Sequence, residues 1–212
     1  MTSLVQDMYD GVKEMIKREK ELQEENRPSP GADIMAGSHL KSTSDITGFV
    51  NFPSECKSSL SRFMTKDIFN KYFACKDNAG VSFEQMILSG CQNVDSGIGV
   101  YAGSHDAYYT FGDLFDKIIE DYHKHGKEAS HVSNMNYEEL SCPPFTEEEA
   151  SMIISTRIRV GRNLADFPLG PGISRDQRNE VEKLVRKAAE SFTGELEGTY
   201  YALDSMTEAQ RQ

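Results

Sequence analysis

Tryptophan is absent from this 212-residue chain, and basic residues are few: 23 Lys plus Arg stand against 34 Asp plus Glu, a net charge of −11. A chain this acidic has no general field for collecting phosphate backbones, which argues against broad nucleic-acid binding. Anionic membrane surfaces repel it for the same reason. One local basic pocket remains compatible with the balance. Long hydrophobic runs are missing too. The apolar stretches are short, such as Met152–Ile154, far below the ~18 consecutive residues of a membrane span. The opening MTSLVQDMYDG has no basic stretch followed by an apolar core, so it does not read as a secretory signal. Cysteine is limited to Cys56, Cys75, Cys91 and Cys142, with wide, irregular gaps and no C-x-x-C. That spacing suits neither a disulfide framework nor a zinc site. Reduced thiols in a cytoplasmic protein are the plainer reading.

Apolar residues make up 38%, with 11 Phe and 9 Tyr. That suffices for a core but sits below the ~45–50% of ordinary globular chains. Part of the chain is therefore expected to be linker, or a piece whose packing partner lies elsewhere. Residues 1–25 read as a helix, with Leu4, Met8, Val12, Met15, Ile16 and Leu22 at helical spacing and Ser3 as a cap. Residues 26–48 are rich in Pro, Gly, Ser and Thr, a linker composition. A compact helical domain is expected over residues 49–124. It holds Lys57–Phe63, Lys66–Ala74 behind Thr65, a capping box Ser82–Gln85 with Gly90 as the helix stop, and a stripe over Phe111–His123. Residues 125–151 are polar and irregular, a second linker. From 152 to 212 the pattern turns mixed: Ile153–Val160 alternates like a strand, Ser174–Gln177 is a capping box, and Thr199–Leu203 reads as a second strand. A helix begins at Thr207. Two strands are not self-supporting, so this second domain reads as cut short. The fold class expected is α+β: a small all-α domain, then the truncated start of an antiparallel-sheet domain flanked by helices.

Two stretches carry chemistry. Along Ile153–Val160, Ser155, Arg157 and Arg159 share one face of a strand, while Ile154, Thr156, Ile158 and Val160 share the other. Two guanidinium forks at that spacing match successive phosphates of a nucleotide, and Arg162 extends the patch. By pattern alone, an edge strand whose arginines pair with surface carboxylates accounts for it at least as well. The second stretch, Ser96-Gly-Ile-Gly-Val-Tyr101-Ala102, matches G-x-G-x-x-[GA]. A dinucleotide site needs a strand running into that motif and a helix following it. Here a capped helix precedes and AGSHDAYYT follows, so the nicotinamide dehydrogenase reading is rejected. What remains is a glycine-permitted loop next to Asp95 whose backbone can grip a small polar ligand, or an ordinary tight loop. His123, His125 and His131 lack the ordered scaffold a metal centre requires and suit a solvated helix end better.

The order SGIGVYA, TFGDLFDKIIEDYH, IISTRIRVGRNL, GELEGTYYAL resembles the phosphagen (guanidino) kinases, with arginine kinases most similar. The resemblance runs from about Cys56 to Gln212 and is weaker between Lys124 and Ala150. It implies reversible transfer of the γ-phosphoryl group of MgATP to the guanidino group of L-arginine. The Mg2+ comes with the nucleotide, without a protein metal site. It implies that Asp95, Ser96, Gly97, Ile98, Gly99, Val100 and Tyr101 meet the guanidino substrate, with Asp95 linked to closure over it. Ser155, Thr156, Arg157, Ile158 and Arg159 would hold nucleotide phosphates. It places the family's acidic guanidinium-positioning residue and reactive cysteine beyond the position of Gln212, so these residues alone are expected to be incomplete as a catalyst. The first helix, LVQDMYDGVKEMIKREKELQ, resembles the last helix of such a kinase. A tandem parent, with a second kinase unit before this one, is the expectation that follows. The alternatives are a kinase for taurocyamine or lombricine, or a non-catalytic binding fragment.

Overall fold

The computed structural model describes residues 3–141 and 143–211. Cys142 lies outside them, as do the side chains of Ser3 and Leu4 on which part of the first-helix reading rests.

The centre of the molecule is helical. Short capped helices follow one another: α2 (Ser59–Phe63), α3 (Lys66–Tyr72) and α4 (Phe83–Gln92). Each begins at a hydroxyl that takes an otherwise orphaned amide. Ser58 accepts from Ser61, Thr65 from Ile68 and Ser82 from Gln85. A single turn, α5 (Ala107–Thr110), leads into α6 (Gly112–His123), which buries Leu114, Phe115 and Ile118. Phe69, Phe83 and Phe111 are fully buried at the centre. Phe83 lies 6.3 Å from Phe69 and 5.4 Å from Phe111, and Tyr72 meets Phe111 edge-on at 5.2 Å. Such offset and edge-on rings add to the burial of large apolar area.

The segment read as a linker over 26–48 is built into this core. Gly31 donates to the Thr47 carbonyl at 2.7 Å and Ile34 to Phe49 at 2.8 Å. Strands β1 (Ile34–Met35) and β2 (Val50–Asn51) pair in parallel. Leu40, Ile46 and Val50 are buried. A segment wrapped over a core needs only scattered apolar anchors, so it shows neither helical nor strand period. The domain expected to be all-helical therefore carries a small parallel sheet at its edge.

The antiparallel sheet expected over Ile153–Val160 and Thr199–Leu203 is not formed among the described residues. Both stretches lack ladder partners, and a strand exists only by pairing. Ile154 and Ile158 are 98% and 91% exposed, so the apolar face has no core to cover. Helices α7 (Glu147–Met152), α8 (Arg175–Glu190) and α9 (Glu208–Arg211) form here. Thr146 with Glu149 and Ser174 with Gln177 make full capping boxes. Thus α7 starts inside the second expected linker. The apolar stripe of α8 stays open, with Leu184 and Val185 exposed. Helix α1 (Ser3–Glu25) likewise leaves Val5, Met8, Val12, Met15 and Ile16 exposed. Its far end is tied down by Arg27, which donates to the Lys71 carbonyl at 2.7 Å and to the Cys75 sulfur at 2.8 Å.

Two sequence signals near α4 resolve differently from expectation. The capping box at its start is half made, because the Gln85 side chain donates to the Pro171 carbonyl instead of turning back. Gly90 does not stop the helix, which runs on to Gln92.

Candidate functional site

The loop between α4 and α5 carries Asp95–Tyr101. Backbone bonds hold it on three sides. Ser96 donates to the Asn93 carbonyl at 3.0 Å, closing the turn after α4. The carbonyls of Gly97 and Ile98 accept from Ser59 at 3.0 Å and Leu60 at 2.8 Å, the first amides of α2. A helix start has amides without internal partners, so this contact satisfies both elements at once. Tyr101 then donates to the Met86 carbonyl of α4 at 3.0 Å. Gly99 sits at φ +83°, a backbone region that glycine adopts without a Cβ penalty.

These bonds leave a specific set of groups unused. Among the described residues, the amides of Gly97, Ile98, Gly99 and Val100 donate to no acceptor. The loop is thus a row of four successive donors, with its Gly97 and Ile98 carbonyls turned inward to α2. Gly99 and Val100 are buried. Buried amides without acceptors are rare and costly in folded proteins. Successive unpaired amides in a turn conformation are the kind of donors that can receive an anion. Asp95 is exposed, and Tyr101 is 44% exposed beside the row.

An apolar groove of about 580 Å³ opens next to Tyr101. Its walls are Ile98, Val100 and Tyr101 from the loop, Phe115 and Ile118 from α6, and Leu169 from the second half of the chain. On α2, Arg62 reaches both the Ser59 hydroxyl at 3.3 Å and the Asp121 carboxylate at 2.7 Å. That hydrogen bond from Arg62 lowers the Asp121 pKa, and Lys124 adds to it. Arg62 thus ties α2, one of the two helices that hold the loop, to α6.

The other expected site residues stand apart. Ser155, Thr156, Arg157, Ile158 and Arg159 are exposed in an irregular stretch. Among the described residues, neither arginine makes an ion pair or side-chain hydrogen bond. Arg162 turns back on the Gly161 carbonyl at 2.7 Å. The structure thus brings Asp95–Tyr101 together as one loop but does not join Ser155–Arg159 to it. The clamping amides of Ser59 and Leu60 and the close approach of Gly90 to Gly99 were not read from the sequence.

Residues 54–120 match the family model for ATP:guanido phosphotransferase, N-terminal domain. This match includes the whole amide-row loop and its clamp on α2. The chain belongs to the ATP:guanido phosphotransferase family. An arginine kinase of Anthopleura japonica is 40% identical over 209 residues, 98% of this chain and 27% of that protein. An arginine kinase of Eriocheir sinensis is 38% identical over 159 residues, 75% of this chain and 44% of that protein. Among solved structures, the substrate-free duplicated taurocyamine kinase from Schistosoma mansoni superposes with a TM-score of 0.60 at 32% identity, covering 75% of this chain and 23% of that one. The chain therefore spans less than half the length of each of these relatives.

Proposed function

We propose that the chain is a segment of an arginine kinase, an enzyme that moves the γ-phosphoryl group of MgATP reversibly onto the guanidino group of L-arginine. The observation that carries the reading is the row of four free amides at Gly97–Val100. A free amino acid presents a carboxylate at one end and, in arginine, the reacting guanidinium at the other. Anchoring the carboxylate on fixed backbone donors leaves the guanidinium end projecting, and the row itself undergoes no chemistry. Charge-assisted bonds from amides to a carboxylate are among the stronger hydrogen bonds. Tyr101 and Asp95 flank the same loop and would meet the rest of the substrate in this reading.

Ser155–Arg159 supply the second half of the reading. Two unpaired arginines are available for phosphate oxygens, and Mg2+ would arrive on the nucleotide. Phosphoryl transfer needs alignment and charge stabilisation more than covalent help, and arginines on phosphates provide both. Joining the two halves requires Ile153–Val160 to enter a sheet beside the helical domain. Apolar faces left open on Ile154 and Ile158 and on α8 support such an ordering step.

A tandem parent fits the first helix. The Anthopleura japonica match spans 209 residues and is 27% of that protein, whereas 159 residues make 44% of the Eriocheir sinensis protein. The first relative is thus about twice as long as the second, and its match takes in the region of α1. The apolar face of α1 would then lie on a preceding unit of the same chain. Free thiols at Cys56, Cys75 and Cys91 support work in the cytoplasm. A taurocyamine kinase reading is kept beside this one, because the duplicated kinase from Schistosoma mansoni shares the fold of this segment.

Titration calorimetry with L-arginine, taurocyamine and creatine, followed by a coupled ADP-release assay with MgATP, tests the proposal. Arginine binding with little turnover by the 212 residues alone is expected. Tighter binding of taurocyamine would move the substrate assignment. Absence of binding by any guanidine would overturn it.

A further inference from the structure

Gly90 lies inside α4, two residues before its end at Gln92. Glycine is the least favourable helix-interior residue short of proline, so its use there calls for a packing reason. The reason is contact between two backbones. A Cβ built on Gly90 would stand 2.5 Å from the Gly99 Cα and nearer still to the Gly99 carbonyl oxygen. Helix α4 therefore bears directly on the middle of the amide row. Met86, one helical turn earlier, accepts the Tyr101 amide at the end of the row. Positions four apart share a helix face, so α4 holds the loop at two points on one side. The first amides of α2 hold it on the other side through Gly97 and Ile98.

We propose that Gly90 is a positioning residue of the substrate site. Its missing side chain sets the depth at which Gly99 rests on α4, and so where the four amides stand, with the start of α2 as the opposing clamp. This rests on the reading of the row as the carboxylate site. Ordinary contact to a Cβ begins at 3.4 Å, so a methyl group at Gly90 displaces Gly99 by about an ångström. Displacements of about 1 Å from a productive geometry are worth up to ~100-fold.

The test compares Gly90→Ala with Gly48→Ala in the full chain. Gly48 is a matched control: a Cβ there would stand 2.7 Å from the Ala32 carbonyl carbon, in the wrapped segment and outside the loop. Thermal melting, arginine titration and amide NMR shifts are recorded for each. Both variants are expected to lose thermal stability. Only Gly90→Ala is expected to weaken arginine binding, by ~30- to 100-fold, and to shift the amides of Gly97–Val100. Wild-type affinity in folded Gly90→Ala, or an equal loss in Gly48→Ala, overturns the assignment. If the wild-type chain binds no arginine, the carboxylate reading falls instead. The amide shifts still decide the positioning role, which an unmoved row in Gly90→Ala overturns. Should Gly90→Ala not fold, Ser59→Pro addresses the same row from α2. Proline is accepted at the first helical position and removes the amide that holds Gly97, together with the Ser59 hydroxyl that Arg62 meets. Arginine binding is expected to weaken about fivefold, the worth of one hydrogen bond. An unchanged affinity with unmoved row amides overturns the two-sided clamp.

Discussion

Leu169 donates its backbone amide to the carbonyl of Gly103 at 2.8 Å, and so fastens the second half of the chain to the domain that carries the amide row. The attachment is local and tight. A Cβ on Gly172 would stand 2.5 Å from Val81 Cγ2 and 2.6 Å from the Gly103 oxygen. Gln85 reaches Pro171 from α4. Outside this patch, the described residues from 128 to 166 are exposed.

Gly172→Ala should therefore release the segment 167–173 without unfolding the helical domain. Brief proteolysis of the wild type is expected to cut first within 128–166 and to spare 55–123. The variant should add cuts near 167–173. Equal resistance of both regions in the wild type would contradict the division of the chain.

Phe83→Ala removes a fully buried ring that meets Phe69, Tyr72 and Phe111. Urea titration should show a loss of about 3–5 kcal/mol for the helical domain. Leu184→Ala, on the open face of α8, should change stability by no more than ~0.5 kcal/mol.

This contrast shows what was legible in the residues themselves. The hydroxyls Thr65, Ser82 and Ser174 cap their helices, and Phe111, Leu114, Phe115 and Ile118 of the expected stripe are buried, because caps and helical faces are short-range signals. Leu40, Ile46 and Val50 gave no such signal, because anchors in a wrapped segment follow the surface beneath them. Ile153–Val160 has strand alternation but no partner strand among the described residues, and pairing is not a local property. Asp95–Tyr101 was legible as a glycine-permitted loop, because its two glycines and the capped helix before it are local signals. That its amides rather than its Gly97 and Ile98 carbonyls are free depends on α2, nearly forty residues earlier. Gly90 looked like a helix stop because a glycine used for close approach has the same letter.

Acid should weaken the helical domain. The hydrogen bond from Lys71 holds Asp113 below the usual carboxylate range, and the hydrogen bond from Arg62 does the same for Asp121. A carboxyl whose folded pKa lies below its unfolded value of ~3.9 stabilises the fold fully above that value. The contribution is lost as pH falls through the lower, folded pKa. Thermal melts from pH 6 to pH 2 should show Tm falling below about pH 4. Asp113→Asn with Asp121→Asn should flatten that fall, and added salt should shrink it, because both pairs are exposed. An identical pH profile in the double variant would contradict the assignment.

Thiol reactivity should separate Cys56 from Cys91. Burial pushes the Cys91 thiol up to about 12. At Cys56, burial also raises the pKa, but hydrogen bonds from Ser58 and Ser61 outweigh it and leave the thiol lowered. Iodoacetamide at pH 8 is expected to label Cys56 in the folded chain and to spare Cys91 until denaturant is added. Prompt labelling of Cys91 in the native state would place α4 differently.

The central claim is that the Gly97–Val100 amides receive the carboxylate of arginine. Titrating the labelled chain with L-arginine and with agmatine, which lacks that carboxylate, while following those four amide resonances tests it most directly. The account predicts saturable shifts of all four with arginine and none with agmatine at equal concentration. Equal shifts with both, or none with arginine, would contradict it.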